Sequence, residues 1–223
     1  MATPLRIDFV SDVACPWCVI GLRSLMTALS VIGDEADAEI HLQPFELNPD
    51  MPPEGENTRE HVAKKYGAPT ERSEAARNVL KESGAALGFQ FNYGPDSRIW
   101  NTFDAHRLLH WAGLEGRSLE LKEALFKANF TDQLPANDPD VLADAAASVG
   151  LDSKRARAIL ASDEYAEEVR RDEELWRDRG ISAVPSIIIN SRYLIQGGQP
   201  PHVFEQALRK IIASDAPAAA AQG

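Results

Sequence analysis

Cys15 and Cys18 are the only cysteines in a chain of 223 residues, and only Pro16 and Trp17 separate them. Their setting narrows what the chain can become. Upstream, Leu5, Ile7 and Phe9 alternate with Arg6 and Asp8, the two-residue period of a strand over residues 5–10. Downstream, Leu22, Leu25, Met26 and Leu29 recur at helical spacing as far as Gly33, a natural helix stop. The segment AEIHLQPFE alternates again, with Ile40 and Leu42 on one face. The first 45 residues therefore read strand–helix–strand, and the cysteine pair opens the helix.

Beyond the loop LNPDMPPEGE, the pattern from Thr58 to Arg179 is almost wholly helical. Ser118 precedes a helix carrying Leu121, Leu125 and Phe126. Asp138 and Pro139 read as an N-cap and first-turn proline of another, striped by Leu142, Ala145, Ala146 and Val149 and stopped at Gly150. A charged helix is expected over about 163–179, with Tyr165, Val169 and Trp176 as its apolar contacts. Strand character returns in VPSIIIN and RYLIQGG, with a tight turn at Asn190-Ser191 between them. Pro200-Pro201 opens a closing helix bearing Phe204, Leu208 and Ile211. The order predicts an α/β fold assembled from both ends of the chain, residues 1–57 and 163–214, around an all-helical insertion at 58–162. The low-complexity tail, 215–223, is expected to be disordered.

A net charge of -11 argues against nucleic acid, whose phosphates would repel the chain, and against an anionic membrane surface. The N-terminus MATPLRIDFVSD has no apolar signal core, and no apolar run reads as a membrane span. The expected compartment is the cytoplasm. Two cysteines there form no disulfide framework, so the pair reads first as redox chemistry or half of a metal site.

The redox reading has a physical basis. Unpaired amides and the dipole at a helix N-terminus favour a thiolate. Cys15 sits where that field is strongest and is expected to be exposed, as the nucleophile. Cys18 lies one turn deeper, as the resolving thiol, and Pro16 suits the first turn because its missing N–H costs little there. Cys15 attacks a disulfide, a mixed disulfide forms, and Cys18 displaces it. Zinc would need two more ligands, and the five histidines are scattered. His106 and His110 share a helix without a third ligand near them and read as surface or cleft residues. No metal is expected. A structural disulfide would close a tiny loop and remove little chain entropy. Asp12 is a candidate to perturb the thiols or relay a proton, with loop or helix capping as the plainer role. Pro185 precedes a buried strand, where proline is tolerated at the first residue.

Together, DFVSDVACPWC, GISAVPSIIIN and YLIQGGQPPHVFEQAL resemble the thioredoxin-fold DsbA family, from Leu5 to about Ile212. NTFDAHRLLHWA (101–112) is similar to its FrnE-like subgroup of polyketide-biosynthesis-type dithiol–disulfide isomerases. The resemblance implies a thioredoxin fold with a large helical insertion capping the active-site face. It implies Cys15 and Cys18 as the active-site pair, supported by Pro16, Trp17 and Asp12. Pro185 becomes the cis-proline facing them, and Val184 the residue whose backbone meets substrate. Trp17, Trp100 and His106 become candidates to line the cleft with Gly198 and Gln199, while Phe103 reads as core packing.

The strongly oxidising DsbA type has histidine between its cysteines. Trp17 carries no charge to stabilise a thiolate, so a potential more reducing than about -120 mV is expected. The substrates implied are disulfide-containing proteins or peptides, or glutathione as co-substrate, with no tightly bound cofactor. The same architecture also resembles the kappa glutathione transferases and 2-hydroxychromene-2-carboxylate isomerases, which use glutathione and typically have serine at the nucleophile position. Related glutathione-using folds often pair, so a homodimer is also expected. Cys18 discriminates the two readings: dithiol exchange needs it, and a transferase does not.

Overall fold

The computed structural model describes residues 2–67 and 70–215. Strand β1 (Thr3–Ser11) runs into the cysteine loop, and helix α1 (Pro16–Ile32) follows it. Gly33 ends α1 at φ 55°, a conformation that favours glycine. Strand β2 (Ala36–Pro44) lies parallel to β1, with Thr3 opposite Ala36 and Ser11 opposite Pro44. Then come β3 (Glu56–Asn57), α2 (Thr58–Tyr66), α3 (Thr70–Ala86) and β4 (Arg98–Ile99). Next are α4 (Phe103–Leu114), α5 (Ser118–Phe126), α6 (Pro139–Ser148), α7 (Ser153–Leu160) and α8 (Ala166–Asp178). Strands β5 (Ser186–Ile189) and β6 (Tyr193–Gln196) and helix α9 (Pro201–Asp215) close the chain.

The main sheet has the order β2-β1-β5-β6. Strand β5 runs antiparallel to β1, placing Ile7 opposite Ile189 and Val10 opposite Ser186. The hairpin turn is the expected one: Asn190 and Ser191 both have positive φ, 52° and 54°. Such a turn matches the strand twist. The Asn190 Oδ1 also accepts the Arg6 amide at 2.9 Å, tying the turn to β1. The two ends of the sequence thus meet in one sheet, an α/β fold of thioredoxin type.

Central β1 is buried on both faces. Leu5, Ile7 and Phe9 join Cys18, Leu22 and Leu25 of α1 and Phe204 and Leu208 of α9 in one apolar cluster. Val10 faces the other way, against Phe45, Trp176 and Ile181. A third cluster is built from α4, α5, α6 and α7 and takes in Val13 of the cysteine loop. Each large side chain buried there contributes about 1.5–3 kcal/mol relative to exposure. Phe130 stands edge-on to Phe91 and Tyr93 and tilted to Phe126, joining the segment after α3 to the first cluster. The N-cap at Asp138 forms as expected, its carboxylate accepting the Asp140 amide at 2.8 Å.

Four expectations change. The stretch 58–162 is not all helix: β4 within it pairs antiparallel with β3, Glu56 opposite Ile99. The charged helix starts at Ala166, not 163, because Tyr165 adopts a left-handed φ of 64° and lays its ring 5.1 Å from that of His110. Asp215, placed in the tail, is the last residue of α9; residues 216–223 lie outside the described residues. Finally, Pro16–Glu35 is long and apolar enough by composition to cross a membrane, though half of it is buried within this fold.

Candidate active site

The site forms where β1 hands over to α1. Cys15 is the N-cap of α1, with extended backbone, and Pro16 occupies the first helical turn. The Asp12 carbonyl accepts the Cys15 amide at 3.2 Å, and the Cys15 carbonyl accepts the Cys18 amide at 3.1 Å. This winding puts both sulfurs on one end of the helix. Both cysteines are free thiols. Cys18 is wholly buried. Cys15, expected to be exposed, is only 3 % exposed. The Val184 carbonyl lies over it and accepts a hydrogen bond from its Sγ at 3.5 Å.

The Val184–Pro185 peptide is cis. Pro185 rests on α1 at Gly21, where an added Cβ would stand 3.0 Å from its Cγ. Its carbonyl accepts the Gly197 amide at 2.8 Å, which fastens the loop after β6 to the same place. Gly198 in that loop lies against Trp17: a Cβ there would stand 2.8 Å from the Trp17 carbonyl and 3.1 Å from its ring. Gln199 turns back and donates from its side chain to the Gln196 carbonyl at 2.9 Å. Trp17 itself remains 37 % exposed beside the thiols. Replacing Gly198 with Ala is therefore expected to push Trp17 or the loop aside and cost about 1–3 kcal/mol, a fall in melting temperature of roughly 2–10 °C. Gly113→Ala, on exposed α4 surface with open space at its Cβ, is expected to leave the melting temperature unchanged or raise it. Calorimetry of the two variants checks both.

Asp12 is the polar anchor of the loop. Its Oδ1 accepts the Ala14 amide at 3.1 Å and the Thr102 hydroxyl at 2.7 Å. Its Oδ2 accepts the Leu47 amide at 2.7 Å. Burial opposes its ionisation, yet His106, the Leu47 amide and Thr102 together hold its carboxyl below the ordinary value. The loop-capping role is thus the one the contacts describe. His106, expected in the cleft, is 2 % exposed, and its Nε2 lies 3.4 Å from Asp12 Oδ1. It is closed off because α4 packs its inner face onto the cysteine loop.

Trp100 is held away from the pair's own contacts. It packs against Gly55 and under Arg98, whose guanidinium is 5.4 Å from the ring. It borders a hollow of about 330 Å³ with Asn92, Ser97, Asn129 and Gln133. Asn129 donates to the Val13 carbonyl at 3.3 Å, so this hollow adjoins the cysteine loop. Phe103 is half-buried, with the Arg170 guanidinium 3.7 Å from its ring.

Two site residues escaped the sequence. Burial, then the negative charge of Cys15, pushes the Tyr93 phenol up, so it stays protonated where it stacks on Phe91. Lys122 of α5 is 1 % exposed and acts electrostatically on Cys18. A signal for it existed: Lys122 falls four residues before Phe126, on the helix's own apolar stripe. Burial, then Cys15, pushes the Cys18 thiol well up, while Lys122 and the Asp12 amide oppose the rise. Chemically the arrangement offers one thiol at a helix N-terminus, a second thiol behind it, and a carbonyl beside the first.

Residues 6–209 match the model of the DSBA-like thioredoxin domain. The chain belongs to the DSBA-like family. A solved structure described as a probable DsbA oxidoreductase, SCO1869 from Streptomyces coelicolor, is 33 % identical, with TM-score 0.89 over 98 % of this chain and 94 % of that one. A 2-hydroxychromene-2-carboxylate isomerase shares the fold at 14 % identity, with TM-score 0.71 over 96 % of this chain and all of that one. The cytosolic disulfide reductase DsbM from Pseudomonas aeruginosa, solved with GSH, shares it at 16 % identity, with TM-score 0.60 over 93 % and 99 %. The family match and the 33 % identical structure support a thiol oxidoreductase or isomerase, and the other two show the shared fold.

Proposed function

We propose that this DSBA-like protein exchanges disulfides through Cys15 and Cys18. The observation that carries the reading is the pairing of a helix-capping Cys15, its Sγ 3.5 Å from the Val184 carbonyl, with Cys18 buried one turn behind it. In the reducing direction, the Cys15 thiolate attacks one sulfur of a substrate disulfide. A mixed disulfide forms and the other substrate sulfur leaves as a thiolate. Cys18 then attacks Cys15, the substrate's remaining sulfur leaves, and the Cys15–Cys18 bond forms. Two electrons have passed to the substrate. Val184 supplies the backbone edge on which an extended peptide rests, with Trp17 and Gly198 as its apolar border.

The substrates of this reading are protein or peptide disulfides, with glutathione as the co-substrate that returns the pair to its dithiol state. The glutathione-bound DsbM relative supports that choice, and a cytoplasmic setting fits a reductase or isomerase. The C-P-W-C sequence and the 101–112 segment favour the FrnE-like subgroup. A glutathione-dependent transferase or isomerase is the second reading, favoured by the shared fold of the 2-hydroxychromene-2-carboxylate isomerase. Insulin reduction coupled to dithiothreitol separates them. The wild type is expected to accelerate it and Cys18→Ser to lose that acceleration. Full turnover by Cys18→Ser would overturn the dithiol reading.

A further inference from the structure

Helix α5 carries Lys122 into the interior, over the Phe126 ring that shares a core cluster with Cys18. Lysine is almost never fully buried without a partner. Here the side chain is 1 % exposed, and among the described residues its ammonium forms no hydrogen bond and no ion pair. Its Nζ lies 5.1 Å from the ring of Phe126. It borders a small, partly open cavity of about 40 Å³, shared with Gln43 of β2, His106 and His110 of α4, and Asp172 of α8. That is room for a water molecule. A second buried polar group stands at the same place: among the described residues His106 Nε2 has no hydrogen-bond partner, and it lies 3.4 Å from Asp12 Oδ1. Asp12 precedes the cysteines in the loop, and its other contacts hold it in place.

The charges that act on Lys122 agree with this placement. Burial disfavours its ammonium form; Cys18, then Asp12, then Cys15 favour it. Reciprocally, Lys122 favours the thiolate of Cys18, which is itself wholly buried. A buried thiol that must ionise to act needs a cation nearby. The helix N-terminus serves Cys15, whereas Cys18 lies a turn further in.

We propose that Lys122 supplies the buried positive charge that lets Cys18 ionise and resolve the mixed disulfide on Cys15. It acts through Cys18 and does not touch substrate, so it is a positioning residue. When Cys15 is joined to a substrate sulfur, Cys18 gives up its proton to the His106–Asp12 pair, while Lys122 stays an ammonium that holds the thiolate. The Cys18 thiolate attacks the Cys15 sulfur. The bond from Cys15 to the substrate breaks, the substrate sulfur leaves with the electron pair, and the Cys15–Cys18 bond forms. The pair's proton passes out by way of the cavity and ends on the departing thiolate or in solvent. This inference rests on the dithiol reading above, and it assigns control of the second step to a residue from outside the α/β sheet.

Ellman's reagent separates the two steps. Mixed rapidly with the reduced protein, it releases one thionitrobenzoate when Cys15 attacks and a second when Cys18 resolves. In Lys122→Met the second release is expected to slow about tenfold at neutral pH, and its pH midpoint to rise by about one unit, since one unit is a tenfold change in thiolate fraction. The first release is expected to change by less than about threefold, because Cys15 keeps the helix N-terminus. A merely structural lysine would show in stability instead, its loss lowering the unfolding midpoint, whereas exchanging an unpaired buried amine for methionine is expected to leave that midpoint level or higher. Wild-type rate and midpoint for the second release in folded Lys122→Met would overturn the proposal. Should that variant fail to fold, Lys122→Gln is read in the same way. Failure of the dithiol reading shows differently, as a single thionitrobenzoate release in the wild type.

Discussion

Replacing Cys15 with serine is expected to lower disulfide-exchange turnover at least about a thousandfold, to the uncatalysed level. The attacking species is a thiolate, and a serine hydroxyl at the same helix N-cap has no comparable fraction ionised. Nothing in the core changes size by more than one atom, so the variant should fold and melt like the wild type. Cys18→Ser is expected to behave differently. Cys15 keeps its helix N-terminus and the Val184 carbonyl, so the first attack persists, while the mixed disulfide accumulates because nothing behind it can displace the substrate. Mass spectrometry after exposure to oxidised glutathione distinguishes them: a single glutathione adduct on Cys18→Ser, none on Cys15→Ser, and an internal disulfide in the wild type. An adduct on Cys18 of Cys15→Ser would reverse the assigned roles, and its complete burial argues against that.

The second large effect is on stability and lies beside the site. Glu46 and Glu173 are both buried and share Arg170 as a partner. Glu173 also accepts the Glu46 amide at 3.1 Å, and the next amide, Leu47, holds Asp12. Burial, then the charge of Glu173, pushes the Glu46 carboxyl up to about 7, with Arg170 only partly offsetting them. The unfolded chain releases this proton near 4.5. Below that pH both states hold it and there is no penalty. Between 4.5 and 7 the unfolded state binds fewer protons than the folded one, so stability falls as pH rises, and the full loss is present above 7. The ceiling is about 3 kcal/mol, at roughly 1.4 kcal/mol per pH unit. Glu46→Gln removes the charge and keeps a group able to bond Arg170. It is expected to unfold at higher denaturant than the wild type above pH 7 and at the same denaturant near pH 4. Urea titrations across that range check it, and equal offsets at both ends would contradict it.

Much of the fold could be read from the residues because local signals agreed with it. The alternation around Ile7, the stop at Gly33, the cap at Asp138 and the turn at Asn190-Ser191 are each decided by a few neighbouring residues. The short β3–β4 pairing was hidden because two residues on each side carry no period. The start of α8 was misplaced because Tyr165 takes a left-handed conformation that tyrosine seldom adopts and that its packing on His110 accompanies. In the site, the cysteine pair was legible because both residues are close in sequence. Gly198 came from the likeness of its loop, and the geometry gives it a reason, the closeness of Trp17. His106 was expected in the cleft and Lys122 not in the site at all, since both reach the cysteine loop across more than 80 residues of chain and only packing determines which way they face. Their burial changes the site from a surface dithiol into one backed by buried polar side chains.

The central claim is that Cys15 and Cys18 form one reversible two-electron centre. Equilibrating the protein in graded mixtures of reduced and oxidised glutathione, with mass detection of every species, tests it most directly. The account predicts a single transition between dithiol and internal disulfide, at a potential more reducing than the roughly -120 mV of the DsbA type, because Trp17 between the cysteines brings no charge. A potential at that value would contradict the part assigned to Trp17. A stable glutathione adduct on Cys15 with Cys18 left as a thiol throughout would contradict the dithiol centre itself.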